Sequence, residues 1–144
     1  MTPNKEVTPE AVFRAVLDGA CKLQNGDRAQ VDLVAGYYGE VTDVRHPMLP
    51  SDTPLLSREE VRQRFAEAGA SGLTGFRVED LRIHRTADPE VVVGEFAYRG
   101  DGGWTVPGVI VVRVRDGLIV ESRDYLDHAG FGRATNDLRA DRAS

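Results

Sequence analysis

The sequence has few of the residues that build covalent or metal-held folds. Cys21 is the one cysteine among 144 residues, so no intramolecular disulfide can form, and we interpret it as a small core residue on a helix. The three histidines, His46, His84 and His128, are far apart in the sequence and lack the spacing of metal ligands. We therefore expect neither a disulfide framework nor a metal site.

Positive charge and long apolar runs are also scarce. The chain has 18 Lys and Arg against 23 Asp and Glu, a formal net charge of -5, and no basic cluster exceeds a few residues. Binding to nucleic acid or to an anionic membrane is therefore not expected. No stretch approaches membrane-spanning length, and the N-terminus lacks the apolar segment of a secretion signal. These features predict a cytoplasmic protein.

Common catalytic motifs are absent too. The chain has no Gly-x-Ser-x-Gly sequence and no Cys/His pair that would support nucleophilic catalysis. Residues 100–103, Gly-Asp-Gly-Gly, lack the lysine and the strand-to-helix context of a phosphate-binding loop, so we interpret them as a turn. What remains is one domain of ordinary globular composition, 41% hydrophobic and 28% charged.

The beginning of the chain has the pattern of two helices. Thr8 is a suitable N-cap and Pro9 suits the first helical position of a segment with one apolar stripe. The Asn-Gly pair at 25–26 ends this helix, because both residues tolerate the left-handed conformation of a C-cap. Asp27 can cap a second, shorter helix that extends to about Tyr38.

A proline-rich segment and a third helix come next. Residues 41–54 contain three prolines and no helical period, which indicates an ordered loop, with room for one short strand near 41–45. Ser57 and Glu60 have the spacing of a capping box. We predict that the third helix extends from there to about Ala68.

From residue 76 onward, apolar residues recur at every second position instead of with the spacing of a helix. Turn residues at 88–89, 100–103 and 116–117 divide this part of the chain. The order of elements predicts an α+β fold in which three helices pack on a four-stranded antiparallel meander. The predicted strands are at about 76–86, 90–99, 104–115 and 118–127. The predicted parts of the chain are an N-terminal extension at 1–7, a domain at 8–132 and a polar tail at 133–144, which we expect to fray.

The last two strands predict a hairpin with two apolar faces. If Asp-Gly at 116–117 is a two-residue turn, Asp124 lies opposite Val109 and Ser122 lies opposite Val111. Both faces of this hairpin would be substantially apolar, and each needs a cover. The helices can cover one face. A second copy of the chain can bury the other apolar face without a further kind of protein, so we expect a homodimer.

Asp124 is an unusual strand residue, and two interpretations of it stay open. Among aliphatic residues of a pocket its surroundings would favour the protonated form, which suits acid–base work. Glu95 is a second acidic residue in an apolar strand, and paired carboxylates in a cavity commonly differ in protonation. In the other interpretation the carboxylate is structural and binds backbone amides or an arginine such as Arg113 or Arg123.

These segments resemble a known family. The strand at 84–96, His-Arg-Thr-Ala-Asp-Pro-Glu-Val-Val-Val-Gly-Glu-Phe, and the hairpin at 114–125, Val-Arg-Asp-Gly-Leu-Ile-Val-Glu-Ser-Arg-Asp-Tyr, follow two helices, a proline-rich loop and a Ser-Arg-Glu-Glu-Val-Arg helix. Over about residues 8–132 the chain is similar to the SnoaL-like branch of the nuclear transport factor 2-like superfamily. The resemblance implies a cone-shaped α+β fold whose curved sheet wraps around helices, encloses a pocket and dimerises through its outer face.

The resemblance also implies roles for particular residues. Asp124 matches the Asp on the last strand that serves in acid–base chemistry in polyketide cyclases and limonene epoxide hydrolase. That hydrolase also needs an Arg and an Asp on a neighbouring strand, where this chain has Val93 and Glu95, so epoxide hydrolysis is disfavoured. The related ketosteroid isomerases use a Tyr from an early helix as oxyanion donor, a role that Tyr37 or Tyr38 could fill.

Two functions follow as expectations. The first is a cofactor-free cyclase or isomerase of polyketide-type secondary metabolism, in which Asp124 moves a proton next to a carbonyl and Glu95 or Tyr38 assists. The second is a protein that holds a small apolar ligand without transforming it, since one fold can host both functions. The residues predicted to line the pocket or its mouth are Val93, Val109, Val111, Ser122, Trp104, His46 and Phe65.

Overall fold

The computed structural model describes residues 7–50 and 54–143. Within them an α+β fold is present, as predicted, with four helices and one curved, open sheet of six strands in the order β2-β1-β6-β5-β4-β3. The elements are α1 Pro9–Gln24, α2 Gln30–Ala35, β1 Tyr38–Arg45, β2 Leu55–Ser57, α3 Arg58–Ala68, β3 Arg77–Arg85, β4 Val91–Arg99, β5 Thr105–Arg115, β6 Leu118–Leu126 and α4 His128–Ala143. Residues 1–6 of the predicted extension, 51–53 of the proline-rich loop and 144 of the tail lie outside the described residues.

The predicted N-caps of α1 and α3 are confirmed. The hydroxyl of Thr8 accepts a hydrogen bond from the amide of Ala11 at 3.1 Å, and Pro9 is the first residue of α1. At α3 both halves of the capping box form between Ser57 and Glu60, each at 3.1 Å. Since these bonds satisfy amides that have no partner inside a helix, short local signals fix where both helices begin.

The second helix is shorter than predicted, and the sheet gains two strands. Helix α2 ends at Ala35, and β1 begins at Tyr38, the residue at which we had expected the helix to end. The short strand expected near 41–45 is confirmed but is longer. It pairs antiparallel with β2, which was not predicted, and parallel with β6. The sheet is therefore mixed, whereas the predicted sheet was antiparallel throughout.

The C-terminal segment forms a helix, which corrects the prediction that it frays. Helix α4 includes the residues after Gly132 and extends to Ala143. Phe131 and Leu138 pack against the core, and Ala134 is buried. Polar composition suggested a loose end, but three apolar contacts at helical spacing dock this helix.

The hairpin between β5 and β6 has the predicted turn and a shifted register. Asp116 and Gly117 both have positive φ, 53° and 79°, and Arg115 faces Leu118. A register shift follows, because Val114 pairs with Ile119 whereas Arg113 pairs with Glu121. The extra residue is Val120, which has no counterpart across the ladder. Such a bulge moves every later residue of β6 by one position relative to its partner.

The shifted register makes the predicted face assignment wrong. Asp124 pairs with Ile110 instead of Val109, and Ser122 pairs with Val112 instead of Val111. Because successive side chains alternate between faces, Val109 and Val111 lie on the outer face.

No helix among the described residues is long and apolar enough to cross a membrane.

Candidate functional site

A cavity of about 200 Å³ lies between the inner face of the sheet and helices α1, α3 and α4. Its wall is mostly apolar, and a few polar groups lie among the apolar ones, as is usual for small-molecule sites. The six aromatic residues that line it are Phe13, Tyr38, Phe65, Phe76, Tyr98 and Phe131. They are six of the ten Phe, Tyr and Trp residues of the chain, so most of its aromatic side chains line this cavity.

Strand β6 supplies the polar side chains of the cavity. Ser122, which is 2% exposed, donates a hydrogen bond to Oδ1 of Asp124 at 2.5 Å. Both residues line the cavity, because the bulge at Val120 turns them inward. Both residues lie on the part of β6 that follows the bulge and pairs residue by residue with β5, which holds their side chains in a fixed orientation.

Two tyrosines add hydroxyl groups to the same cavity. Tyr38 enters from the first residue of β1 and Tyr98 from the inner face of β4. Burial raises the pKa of both phenols far above the ordinary value, and the negative charge of Asp124 adds to the rise. Both phenols therefore keep their protons and can act as hydrogen-bond donors.

His46 lies against Asp124. Its Nε2 is 3.6 Å from Oδ2 of the carboxylate, and the two side chains are only 18% and 20% exposed. The parallel pairing of β1 with β6 explains this contact. Arg45 and Arg123 lie opposite each other, so His46 and Asp124, which directly follow them in the chain, are neighbours as well. The ring of His128, at the start of α4, packs edge to face on His46 with centroids 5.7 Å apart.

The structure brings four of the predicted site residues into the cavity wall and a fifth beside it. Asp124, Ser122, Tyr38 and Phe65 line the cavity, and His46 contacts the carboxylate. The prediction that Phe65 belongs to the site thus agrees with its position, and its ring lies 5.8 Å from that of Tyr38.

Glu95 and Val93 are not in the cavity. Both lie on the outer face of β4, since Val93 pairs with Val111 and Glu95 with Val109. The carboxylate of Glu95 is half exposed and contacts Nε2 of His84 at 2.6 Å. The alternation of β4 places Gly94, Phe96 and Tyr98 inward, which leaves Glu95 without access to the cavity. The predicted pairing of Glu95 with Asp124 is therefore wrong.

Trp104 lies next to the cavity and does not line it. Its ring packs against Phe76 and Phe131 at centroid distances of 5.0 and 6.1 Å. It also covers Gly100, where a β-carbon would overlap the indole. Its prediction as a ligand-contacting residue is corrected: it supports two rings that do line the cavity.

Several lining residues were missed by sequence reasoning. Ile110 and Val112 line the cavity where Val109 and Val111 had been expected, because the bulge shifts the register of β6 against β5 by one residue. Tyr98 and Phe13 had a usable signal, because each is an aromatic residue on the apolar stripe or face of its element.

The arginines considered as structural partners of Asp124 bind other carboxylates. Arg123 donates to the backbone oxygen and to Oδ2 of Asp43, at 3.1 and 3.2 Å. Arg113 donates to Asp88 and Glu90 at 2.8 and 2.9 Å. In the part of the chain that the structure describes, no group of three or more His, Cys, Asp or Glu residues is placed to hold a metal ion.

A family model described as a SnoaL-like domain matches residues 13–122, which span most of α1 and the strands up to the Ser122 of the cavity. The chain belongs to the SnoaL-like family. The resemblance stated from the sequence is thereby confirmed.

Known proteins similar to this SnoaL-like protein support the fold. An "Uncharacterized PhzA/B-like protein" from Pseudomonas aeruginosa is 41% identical over 56 residues, which cover 34% of this chain and 38% of that protein. A "Putative Isomerase" from Bacillus subtilis superposes with a TM-score of 0.70 at 17% identity over 90% of this chain and 92% of that one. A "putative polyketide cyclase" from Xanthomonas campestris gives 0.59 at 13% identity, over 81% and 88%. At these identities the structural matches establish the nuclear transport factor 2-like fold alone.

Proposed function

We propose that this SnoaL-like protein binds a small, largely apolar carbonyl compound and acts as a cofactor-free cyclase or isomerase of polyketide-type metabolism. The observation that carries the proposal is the position of Asp124, a carboxylate in the wall of an aromatic-lined cavity that is hydrogen-bonded to Ser122 and shares this wall with Tyr38 and Tyr98. Neighbours named as an isomerase and a polyketide cyclase share the fold and are consistent with this chemistry.

In the proposed reaction Asp124 takes a proton from the carbon next to the carbonyl. Electron density moves to the carbonyl oxygen, and the phenols of Tyr38 or Tyr98, which stay protonated, donate hydrogen bonds to it. The proton on Asp124 then returns to another carbon, which gives isomerisation, or to the oxygen formed when the enolate closes a ring. Ser122 and His46 hold the two carboxylate oxygens in place.

The alternative is a ligand-binding protein that uses the same cavity without chemistry. Both functions need the aromatic wall, and only the catalytic one needs Asp124 as a base. The discriminating measurement is exchange of the α-hydrogens of bound ketones in D₂O, followed by NMR.

We expect the native protein to accelerate this exchange and Asp124→Asn to lose about 100-fold or more of the rate, the usual contribution of a general base. Ligand affinity, measured by calorimetry, should survive in this isosteric variant. Glu95→Gln is the matched control, because it neutralises a carboxylate on the outer face. If the native protein binds a ketone tightly but does not accelerate exchange of its α-hydrogens, the catalytic proposal fails and the ligand-binding alternative remains.

The outer face of the sheet supports a second proposal, a homodimer. Val41, Leu55 and Tyr125 on this face are 60%, 63% and 42% exposed, which is uncommon for large apolar residues of a sheet. The same face carries both signs of charge, for example Arg123 beside Asp43. A face of mixed charge is complementary to a second copy of itself turned by a two-fold axis.

Light scattering of the native protein should give the mass of a dimer, and Tyr125→Glu should give that of a monomer. Leu33→Glu is the control, because Leu33 is also an exposed large apolar residue but lies on α2, away from the sheet. A monomeric native protein would refute the dimer and leave the cavity chemistry unaffected.

A further inference from the structure

We infer that Arg58 is a positioning residue of the site: its hydrogen bond to the backbone of Tyr38 fixes the orientation in which this tyrosine presents its phenol to the cavity. The inference rests on the proposed function, because Tyr38 is one of the two phenols proposed to donate to the carbonyl oxygen. It adds a residue that does not line the cavity and acts on the reaction only through Tyr38.

The first observation is that the sheet gives the backbone of Tyr38 little support. Tyr38 pairs with Ile119 of β6, but the ladder between these strands is then interrupted and resumes only at Asp43. On the other side of β1, the ladder with β2 begins at Val41, so Tyr38 lies outside it as well. Because an interrupted ladder leaves residues without their regular partners, Tyr38 needs support from another element.

The second observation is a side-chain donor where the ladder with β2 has ended. Nε of Arg58 donates a hydrogen bond to the backbone oxygen of Tyr38 at 2.9 Å. Arg58 is the first residue of α3 and directly follows Ser57, which pairs with Val41 at the end of β2. The capping box of Ser57 fixes where the helix begins and thus where the side chain of Arg58 starts. Its donor is charged, which makes the bond stronger than one between neutral groups.

The same helix also contacts the ring of Tyr38. Phe65 lies about two turns after Arg58 on α3, and its ring centroid is 5.8 Å from that of Tyr38. Helix α3 therefore contacts Tyr38 at two points, the backbone oxygen and the ring. A side chain supported at both ends keeps one orientation, and loss of the Arg58 bond would release the backbone end.

The test uses two variants of Arg58 that differ in the donor. In Arg58→Gln the amide nitrogen is the same number of bonds from Cα as Nε of arginine, so a neutral donor stays within reach of the oxygen. Arg58→Met has a side chain of similar length without a donor. Arg58 is exposed, so neither variant disturbs the core. Arg62→Met is the matched control, because it removes the same charge from the same helix, but Arg62 binds Asp32 of α2, at 2.6 Å.

The first readout is the fluorine NMR spectrum of the protein with fluorotyrosine at its four tyrosines, in which Tyr38→Phe assigns the resonance of Tyr38. We expect Arg58→Met to shift or broaden this resonance and to leave that of Tyr98 in place. Arg58→Gln and Arg62→Met should leave both unchanged. The readout needs neither ligand nor activity. A Tyr38 resonance that Arg58→Met does not change, or that Arg62→Met changes as much, overturns the inference.

The second readout is the exchange of the α-hydrogens of a bound ketone. Since a misplaced group can cost up to about 100-fold in rate, Arg58→Met should lower kcat by about 10- to 100-fold and change KM by less than about threefold. Arg58→Gln should restore most of the rate, and an equal loss in both variants overturns the inference. If the native protein does not accelerate exchange, the proposed function fails, and the fluorine spectra alone decide whether Arg58 positions Tyr38.

Discussion

The contact between Gly94 and Phe13 gives a direct test of how the sheet shapes the cavity. Gly94 lies on the inner face of β4, and a β-carbon added there would overlap the ring of Phe13. Phe13 is buried, lines the cavity and packs edge to face on Phe96, with centroids 6.5 Å apart. In Gly94→Ala we expect the ring to move toward the cavity, because the cavity is the empty space beside it.

The magnitude follows from the cost of overpacking. One extra methyl group in a packed core costs about 1–3 kcal/mol, which lowers Tm by roughly 3–12 °C in a domain of this size. The displaced ring also narrows the ligand site, and we expect about a tenfold loss of affinity for an aromatic ketone, or about 1.4 kcal/mol.

Differential scanning calorimetry and ligand titration measure the two effects. Gly132→Ala is the matched control, since nothing lies within 4 Å of its added carbon and Gly132 is inside α4. It should be neutral or stabilise by up to about 1 kcal/mol. Phe13→Leu in the Gly94→Ala background should restore part of the lost stability through a favourable coupling energy. A Gly94→Ala protein with unchanged Tm and unchanged affinity would refute the reasoning.

Three further predictions concern single groups. Thr42→Val should lower stability by about 1 kcal/mol in urea unfolding, because the fully buried hydroxyl of Thr42 donates to the carbonyl of Ile119 at 3.1 Å and the variant leaves this oxygen short of a donor; an unchanged midpoint would contradict the role of the bond. Burial raises the pKa of Cys21 from 9.0 to about 11, so alkylation of the folded protein should increase with pH up to that value, and a rate that levels off near pH 9 would disprove it. Hydrogen bonds, first from Arg115, lower the pKa of Glu90 from 4.5 to about 2. Its contribution to stability is therefore present above pH 4.5 and is lost as pH falls toward 2. Glu90→Gln should flatten the dependence of Tm on pH in this range, and parallel curves for the two proteins would count against it.

Local signals made part of the fold predictable. The caps at Thr8 and Ser57 and the turn at 116–117 involve residues within a few positions of one another, so the sequence specifies them directly. The α+β class followed from the change of period near residue 76, and the family from the motifs on β4 and the last hairpin.

The errors come from interactions between distant parts of the chain. No glycine marks the bulge at Val120 in the sequence. The one extra residue reverses which residues of β6 share a face of the sheet with a given residue of β5. Strand β1 was partly assigned to a helix because its partner, β6, lies about 80 residues away in the chain. The local sequence shows only the intrinsic helix and strand propensities of these residues. It does not show their pairing with β6, which decides their structure.

The same limit explains which site residues could be found. Asp124 was identifiable because a carboxylate inside an apolar strand is anomalous by itself. The contact of His46 with this carboxylate follows only from the parallel pairing, and the place of His128 follows from the docking of α4. The assignment of Glu95 failed because its side of β4 depends on the ladder.

The parallel pairing of β1 with β6 also has a consequence for the order in which the molecule folds. Because this pairing joins residues such as Asp43 and Arg123, 80 positions apart, its loop-closure entropy must be overcome before it stabilises the chain. The helices and the β3–β6 meander involve mostly neighbouring elements, so we expect them to form first. On the ribosome, Asp124 is synthesised long after His46, and the contact between them can form only when nearly the whole domain has emerged. The contact of His46 with the carboxylate of Asp124 is thus formed last, and a folding intermediate in which β1 is not yet paired would lack Tyr38 in the aromatic wall.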